Sequence, residues 1–215
     1  MLSDLLKIIL SYLDNKKLEN LIDYYGDFIL SPVICDNIEF TYNSKLYDFV
    51  YKNNKQLIKK LDCSNSNITD ARISNLVNLT KLDCSWCKNI TDAGISNLVN
   101  LTKLYCRDCK NITDAGISNL VNLTKLDCCD CPKITDAGIS NLVNLNILYC
   151  RYCKNITDAG ISNLVNLTNL DCSYSNITDA GISNLVNLNE LDCSFCQNIT
   201  GAGISNLVNL TRHWV

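Results

Sequence analysis

The hydrophobic positions between residues 57 and 210 repeat with a period of 21 or 22 residues. Each repeat carries a leucine at the same place, at Leu61, Leu82, Leu104, Leu126, Leu148, Leu170 and Leu191. A period of this length is typical of a solenoid, in which every repeat forms one coil and contacts only its neighbours. The pattern therefore predicts a stack of seven coils.

Within one coil, the hydrophobic residues first alternate with polar ones and then recur at helical spacing. Leu104 and Cys106 fall on one face of an extended segment, and Tyr105 and Arg107 fall on the other. A few residues later, Thr113 is a suitable N-cap for a short helix. Each coil is therefore expected to contribute one strand and one short helix, which gives an α/β fold.

The first fifty residues follow a different pattern. Apolar side chains recur there at helical spacing in two stretches. They are Leu5, Leu6, Ile9, Leu10 and Leu13 in the first stretch and Leu18, Leu21, Ile22 and Tyr25 in the second. Residues 1–50 are therefore predicted to form a small helical segment. Residues 51–215 are predicted to form the repeat domain, with seven 21–22-residue units and a truncated C-terminal end.

Composition and charge narrow the function classes. The chain has 215 residues, 47% of them hydrophobic, and can bury a substantial core. A net charge of −3 gives no general attraction to a phosphate backbone. No apolar run is long enough to span a bilayer, and Asp4 and Lys7 interrupt the apolar start, which makes it a poor signal peptide. We therefore expect neither nucleic acid nor a membrane among the partners.

The cysteine content bears on the compartment. Fourteen cysteines without an export signal indicate reduced thiols in the cytoplasm or nucleus. The chain also contains eleven Asn-x-Ser/Thr sequons, which favour the alternative of a glycosylated secreted protein. All of them come from two repeated words, NIT and NLT, so the intracellular interpretation is preferred.

Five Cys-x-x-Cys pairs recur, and their second cysteines, which stand where the chain turns, are Cys87, Cys109, Cys131, Cys153 and Cys196. A buried thiol at such a turn can bond neighbouring backbone groups weakly, so core thiols are the favoured interpretation. The alternative, a zinc site, needs a tight turn. The intervening residues include neither Gly nor Pro, and an extended strand would hold the two Cα atoms about 9 to 10 Å apart. Redox chemistry is disfavoured because burial raises thiol pKa values.

No residue pattern points to catalysis. The one histidine, His213, takes the leucine position of an eighth strand and has no nucleophile that can be paired with it. The recurrent Asp of the word ITDAG is predicted to cap its own helix, and the Gly two residues later to allow close approach of the coils. We therefore expect a protein that is not an enzyme and holds no metal or cofactor.

The repeat is similar to the leucine-rich repeat, and more narrowly to its cysteine-containing class with the motif L-x-x-L-x-L-x-x-C-x-x-I-T-D-x-G-L. The similarity covers residues 57–210. Cysteine replaces the second strand leucine in every unit, and the units are shorter than is usual for that class. The resemblance implies a solenoid with a curved parallel sheet and short helices on its convex side.

The opening LSDLLKIILSYL resembles an F-box, the helical module that docks onto the adaptor of cullin-type ubiquitin ligases, although Ser3 replaces the usual proline. The resemblance implies that residues 1–40 bind the adaptor through Leu2, Leu5, Leu6, Ile9, Leu10 and Leu13. It also implies a substrate receptor whose repeats select a target. Two alternatives remain: the segment is only a helical cap of the solenoid, or the protein is a stand-alone scaffold or decoy.

The repeats differ mainly at the outward positions of the predicted strands. The resulting candidates for binding a protein target on the concave face are Trp86, Tyr105, Arg107, Asp108, Asp130, Tyr149, Arg151, Tyr152, Tyr174 and Phe195. Aromatic and arginine side chains are typical interface anchors, and random drift among duplicated repeats is the alternative. Tyr105 with Arg107 and Tyr149 with Arg151 are expected to frame one patch. The neighbouring lysine column, from Lys60 to Lys125, is expected to form a solvated charge lattice with the aspartates.

Overall fold

The computed structural model describes residues 13–29, 35–36 and 38–214. These residues form one parallel sheet of nine strands, which stand in the order in which they occur in the chain. The strands are β1 Phe40–Thr41, β2 Lys60–Asp62, β3 Lys81–Asp83, β4 Lys103–Tyr105, β5 Lys125–Asp127, β6 Ile147–Tyr149, β7 Asn169–Asp171, β8 Glu190–Asp192 and β9 Arg212–Trp214. The repeated leucines are in register from one strand to the next, as Leu104, Leu126 and Leu148 show.

Short helices alternate with the strands along the chain. The helices are α1 Asn15–Ile29, α2 Lys45–Asn54, α3 Asp70–Ile73, α4 Asp92–Ile95, α5 Asp114–Ile117, α6 Asp136–Ile139, α7 Asp158–Ile161, α8 Asp179–Ile182 and α9 Gly201–Ser205. From α3 onwards each helix packs against the next, and the buried Leu, Ile and Cys side chains form the core between helices and sheet. The predicted α/β solenoid, with strands on the concave side and helices on the convex side, is confirmed.

The start of each short helix is fixed by a bond network between coils. The Thr113 Oγ1 accepts the Ala115 N–H at 3.2 Å, as predicted for an N-cap. The Asp92 carboxylate of the preceding coil accepts both the Thr113 N–H at 2.8 Å and the Thr113 hydroxyl at 2.7 Å. The prediction that this aspartate caps its own helix is therefore wrong, because threonine is the cap and the aspartate bonds the following coil.

The glycine of the word ITDAG leaves room for that aspartate. A Cβ atom on Gly116 would overlap Asp92 Oδ1, at a separation that side chains do not tolerate. None of the described glycines has a positive φ, so close approach is the reason for the residue. The first coil follows no such aspartate, and Arg72 replaces the glycine there. Arg72 instead lies over the Tyr51 ring, 4.4 Å from its centroid.

The N-terminal segment shares one core with the repeats. Leu18 and Ile22 of α1 are buried in it, which confirms the second predicted helix. The first apolar stretch lies outside the described residues except for Leu13. Strand β1 pairs with β2, so the sheet begins within residues 1–50, and α2 continues across position 50.

Candidate protein-binding face

The most variable position of the repeat lies in a turn at the end of each strand. Its residues have positive φ values between 53° and 62°, and they are Asn65, Trp86, Asp108, Asp130, Tyr152, Tyr174 and Phe195. A hydrogen bond of 3.0 Å from the Cys87 N–H to the Cys84 carbonyl closes the turn that contains Trp86. Placing these residues on the extended strand was therefore wrong. Their side chains line the edge of the sheet where the strands end.

Positive φ is unfavourable for bulky side chains, whereas Asn, Asp and Gly adopt it more readily. Asn65, Asp108 and Asp130 follow this preference. Backbone bonds to the following coil hold six of these turns, from that of Asn65 to that of Tyr174; for example, the Trp86 N–H donates to the Arg107 carbonyl at 2.8 Å. The fold therefore requires the turn and does not require an aromatic residue in it.

Three of the turn residues form a continuous stack, which we call the aromatic stack: Tyr152, Tyr174 and Phe195. The ring centroids of Tyr152 and Tyr174 are 4.5 Å apart, and those of Tyr174 and Phe195 are 4.3 Å apart. Phe195 is 68% exposed and Tyr152 is 40% exposed. The stack therefore presents aromatic surface to solvent. Trp86, 49% exposed, belongs to an earlier coil and stands apart from the stack.

Arg107 and Arg151 hold equivalent positions in the repeat but have different environments. The Arg107 guanidinium is 3.1 Å from Oδ2 of Asp127, whose side chain is only 10% exposed. Arg151 lies over the rings of Tyr152 and Tyr174, at 4.8 and 5.4 Å from their centroids, and donates to the Tyr152 hydroxyl at 3.2 Å. The two arginines are therefore not a matched pair. Arg107 serves the fold as well as the surface.

The lysine column does not form the expected lattice of lysine and aspartate pairs. Lys81 binds Glu39, which precedes β1, and its Nζ is 2.6 Å from Oε1. Lys125 Nζ lies between Tyr105 and Tyr149, at 5.2 and 5.0 Å from their ring centroids. Tyr105 and Tyr149 both align with Asp127 of β5, so the two rings stand two strands apart. Lys125 thus joins the two tyrosines into one amphipathic surface, which the sequence patterns did not reveal.

All of the described cysteines are buried and unbridged, and all except Cys129 belong to the core beneath this surface. The Cys87 thiol donates to the Cys63 carbonyl of the preceding coil at 3.0 Å, and the Cys84 thiol points to the Tyr105 carbonyl of the following coil at 3.5 Å. The prediction that turn thiols bond backbone groups is confirmed. The extended geometry assumed for the pair was wrong, because a tight turn joins the two residues without Gly or Pro. The Cys87 sulfur bonds the preceding coil, and the Cys84 sulfur bonds the following coil.

Hydrogen bonds with the strand thiols Cys63 and Cys172 lower the pKa of the turn thiols Cys87 and Cys196 to about 6. Burial, by contrast, raises the pKa of Cys193 to about 12 and raises the pKa of Cys150 well above its ordinary value. Both thiols are therefore protonated at neutral pH, and a protonated thiol is a poor nucleophile. Within the described part of the chain, no group of three or more His, Cys, Asp or Glu side chains is arranged to hold a metal ion.

The predicted adaptor-binding residues have a different status. Leu2, Leu5, Leu6, Ile9 and Leu10 lie outside the described residues. Leu13 is partly buried against the common core.

Of the helices that the structure describes, none combines the length and apolar character needed to cross a membrane.

The family model described as Zer-1-like leucine-rich repeats matches residues 70–184, more than half of the chain. The chain belongs to this family. The Zer-1-like repeats begin at the Asp of the first ITDAR word and end just after α8, so the matched region contains most of the candidate face. No curated protein matches the chain.

Solved structures show the same fold. Internalin C2 from Listeria monocytogenes superimposes with a TM-score of 0.60 and 23% identity, over 86% of this chain and 83% of that chain. An internalin InlF from the same organism gives 0.56 and 19%, over 83% of this chain and 58% of that chain. A structure of TLR13 in complex with ssRNA13 gives 0.59 and 21%, over 94% of this chain and 30% of that one. The chain thus spans little more than half of InlF and under a third of TLR13.

Proposed function

We propose that this Zer-1-like repeat protein is a protein-interaction module that binds a partner through its concave face and the adjoining aromatic stack. The stack is the observation that carries the proposal. Tyr152, Tyr174 and Phe195 occupy left-handed turns in which smaller polar residues would be more favourable, and Tyr152 and Phe195 expose their rings to water. Aromatic side chains that the fold does not need, and that solvation does not favour, are typical of interface anchors.

A more specific role fits the whole chain. We propose that residues 1–40 dock onto the adaptor of a cullin-type ubiquitin ligase, and that the repeats present a target for ubiquitination in the cytoplasm or nucleus. The support is the F-box-like sequence of the first stretch together with the repeat domain that follows it. The chain itself performs no chemistry in this proposal. The alternative is a scaffold or decoy that binds its partner without a ligase.

The repeat face is tested by capturing the partner after in-cell crosslinking. Changing Tyr152, Tyr174 and Phe195 together to Asn removes the rings and keeps a residue suited to positive φ. We expect capture of the partner to fall at least tenfold, since anchors of this type contribute about 2 kcal/mol or more each. The matched control changes exposed Asn119 and Asn141 to Ala and should leave capture unchanged. The reverse result would place the binding surface on the convex side.

The ligase role is tested by co-purification of the adaptor with the full chain. Leu6→Glu with Ile9→Glu should abolish this association, because both residues belong to the apolar stretch that would enter the adaptor. Lys16→Glu changes the net charge by the same amount at an exposed position of α1 and serves as the control. Absence of the adaptor, or its retention by the Leu6/Ile9 variant, would favour the scaffold alternative.

A further inference from the structure

One row of outward side chains crosses the last four strands of the sheet. Tyr149 of β6 aligns with Asp171 of β7, Asp171 with Asp192 of β8, and Asp192 with Trp214 of β9. Neighbouring strands are about 4.8 Å apart, so the two aromatic residues stand about 14 Å from each other with both carboxylates between them. These side chains line a pocket of about 180 Å³. The pocket has room for one long side chain.

The carboxylates on the floor of the pocket have no cationic partner among the described residues. Asp171 accepts the Ser173 N–H and hydroxyl at 3.1 and 2.6 Å, and Asp192 accepts the Ser194 N–H at 3.0 Å. Both sets of bonds come from neutral donors on the turn that follows each strand. Arg151 acts on Asp171 only through space, because it donates to Tyr152 instead.

The other charged residue of the pocket is already paired. Glu190 Oε1 is 2.7 Å from the guanidinium of Arg212, and Glu190 Oε2 accepts the Asn169 amide at 2.7 Å. The excess negative charge of the pocket therefore comes from Asp171 and Asp192 alone.

In the first half of the sheet, lysines stand beside the aspartates of the same row. Lys60, Lys81 and Lys125 each stand two residues before an aspartate of the row and on the same face of the strand. In the last coils that position holds Asn169 and Glu190 in place of lysine. The lysine column is therefore absent from the same coils in which Tyr149 and Trp214, the aromatic walls, flank the pocket.

We propose that this pocket, the Tyr149–Trp214 pocket, binds an arginine side chain of the partner protein. A guanidinium can stack on a tryptophan ring and form charge-assisted hydrogen bonds with a carboxylate, so it matches the Trp214 side and the floor of the pocket. An anion would be repelled by the two aspartates, and an apolar side chain would desolvate them without compensation. The proposal rests on the proposed function, because the occupant is a segment of a bound protein.

The test uses Trp214 as its own reporter. The chain has two tryptophans, so a Trp86→Phe background leaves Trp214 as the single one. An extended peptide whose only charged group is one central arginine is titrated against the full chain, with tryptophan fluorescence as the measurement. The control peptide carries citrulline, which has nearly the same shape and no charge. We expect saturable binding of the arginine peptide, and binding of the citrulline peptide weaker by about tenfold.

Two isosteric double variants locate the site. Asp171→Asn with Asp192→Asn keeps the acceptors for the turn N–H groups and removes both charges. This double variant should lower the affinity for the arginine peptide by about tenfold. Asp62→Asn with Asp83→Asn makes the same change in the lysine-flanked half and should leave affinity unchanged. Circular dichroism of both variants is the check that they remain folded.

Three outcomes would overturn the proposal: no response of Trp214 to the arginine peptide up to about 10 mM, equal affinity for the citrulline peptide, or equal effects of the two double variants. None of these depends on partner capture through the aromatic stack. If capture still requires Tyr152, Tyr174 and Phe195 while the pocket test fails, the proposed function stands and only the arginine site is lost.

Discussion

The two halves of the solenoid have the same interior and different faces. From β2 to β5 the strands carry a lysine column, and Arg107 is paired with Asp127. From β6 to β9 the lysines are absent, the aromatic stack lines the sheet edge, and two aspartates lack a cation among the described residues. The leucine registers and the Asp–Thr bonds between coils are the same throughout. The coil therefore determines the core, and the outward residues vary without affecting it.

The largest expected effect tests whether the two interiors are equivalent. Leu104→Ala lies in the first half and Leu148→Ala in the second, and both leucines are fully buried. Each change should lower the free energy of unfolding by about 2–5 kcal/mol, because it removes buried methyl groups and leaves a cavity. Chemical unfolding measures both. A difference between them that exceeds about 1 kcal/mol would break the comparison.

The next effect distinguishes the two arginines. Arg107→Ala should lower the free energy of unfolding by about 1 kcal/mol, because it leaves the nearly buried Asp127 without its cation. Arg151→Ala should change it by less than about 0.5 kcal/mol, because Arg151 bonds an exposed tyrosine hydroxyl.

A double-mutant cycle shows whether Asp127 is the cause. In an Asp127→Asn background, Arg107→Ala should lose most of its effect on stability. Retention of the full effect in that background would mean that Arg107 contributes through packing and not through the ion pair.

A smaller effect is expected for the aromatic stack. Tyr174→Asn loses stacking with two rings but relieves a bulky residue from positive φ, so the stability change should stay within about 0.5 kcal/mol. Tyr105→Asn is the control on a strand, where no such relief exists. It should destabilise more, since Lys81 and Lys125 both lie over the Tyr105 ring. Equal losses in thermal unfolding would indicate that the stack is part of the fold.

The smallest effect concerns the convex side, at the last Asp–Thr bond. The Thr200 N–H and hydroxyl donate to Asp179 and lower its pKa below the ordinary value of 3.8. A depressed pKa in the folded state adds stability above the unfolded value, and this contribution is lost as pH falls through the folded pKa. The stability gap between the parent and Asp179→Asn should therefore be present at neutral pH and close below pH 3.8.

Denaturant unfolding at several pH values measures this gap. Thr200→Ala removes the hydroxyl donor and should reduce the pH dependence. A gap that is independent of pH would show that Asp179 contributes through shape rather than charge.

The sequence by itself determined the coil. The spacing of the leucines predicted the strands and their register, because a stacked repeat can bury its apolar face only against an identical neighbour. Thr113 was recognisable as a cap, and the thiols as core residues that bond the backbone. These features are local or recur with one period, so they can be recognised in a single sequence.

The tertiary structure decided which residues meet across coils. Asp92 bonds the cap of the next coil and not its own helix, and Gly116 is small for that reason. Trp86 and its equivalents lie in left-handed turns that no Gly or Pro indicates, and in all of them except the Phe195 turn a bond to the following coil holds the backbone there. Contacts between residues on different coils depend on how the coils stack. The lysine that joins two tyrosines and the pocket closed by Trp214 therefore emerged only when the strands stood side by side.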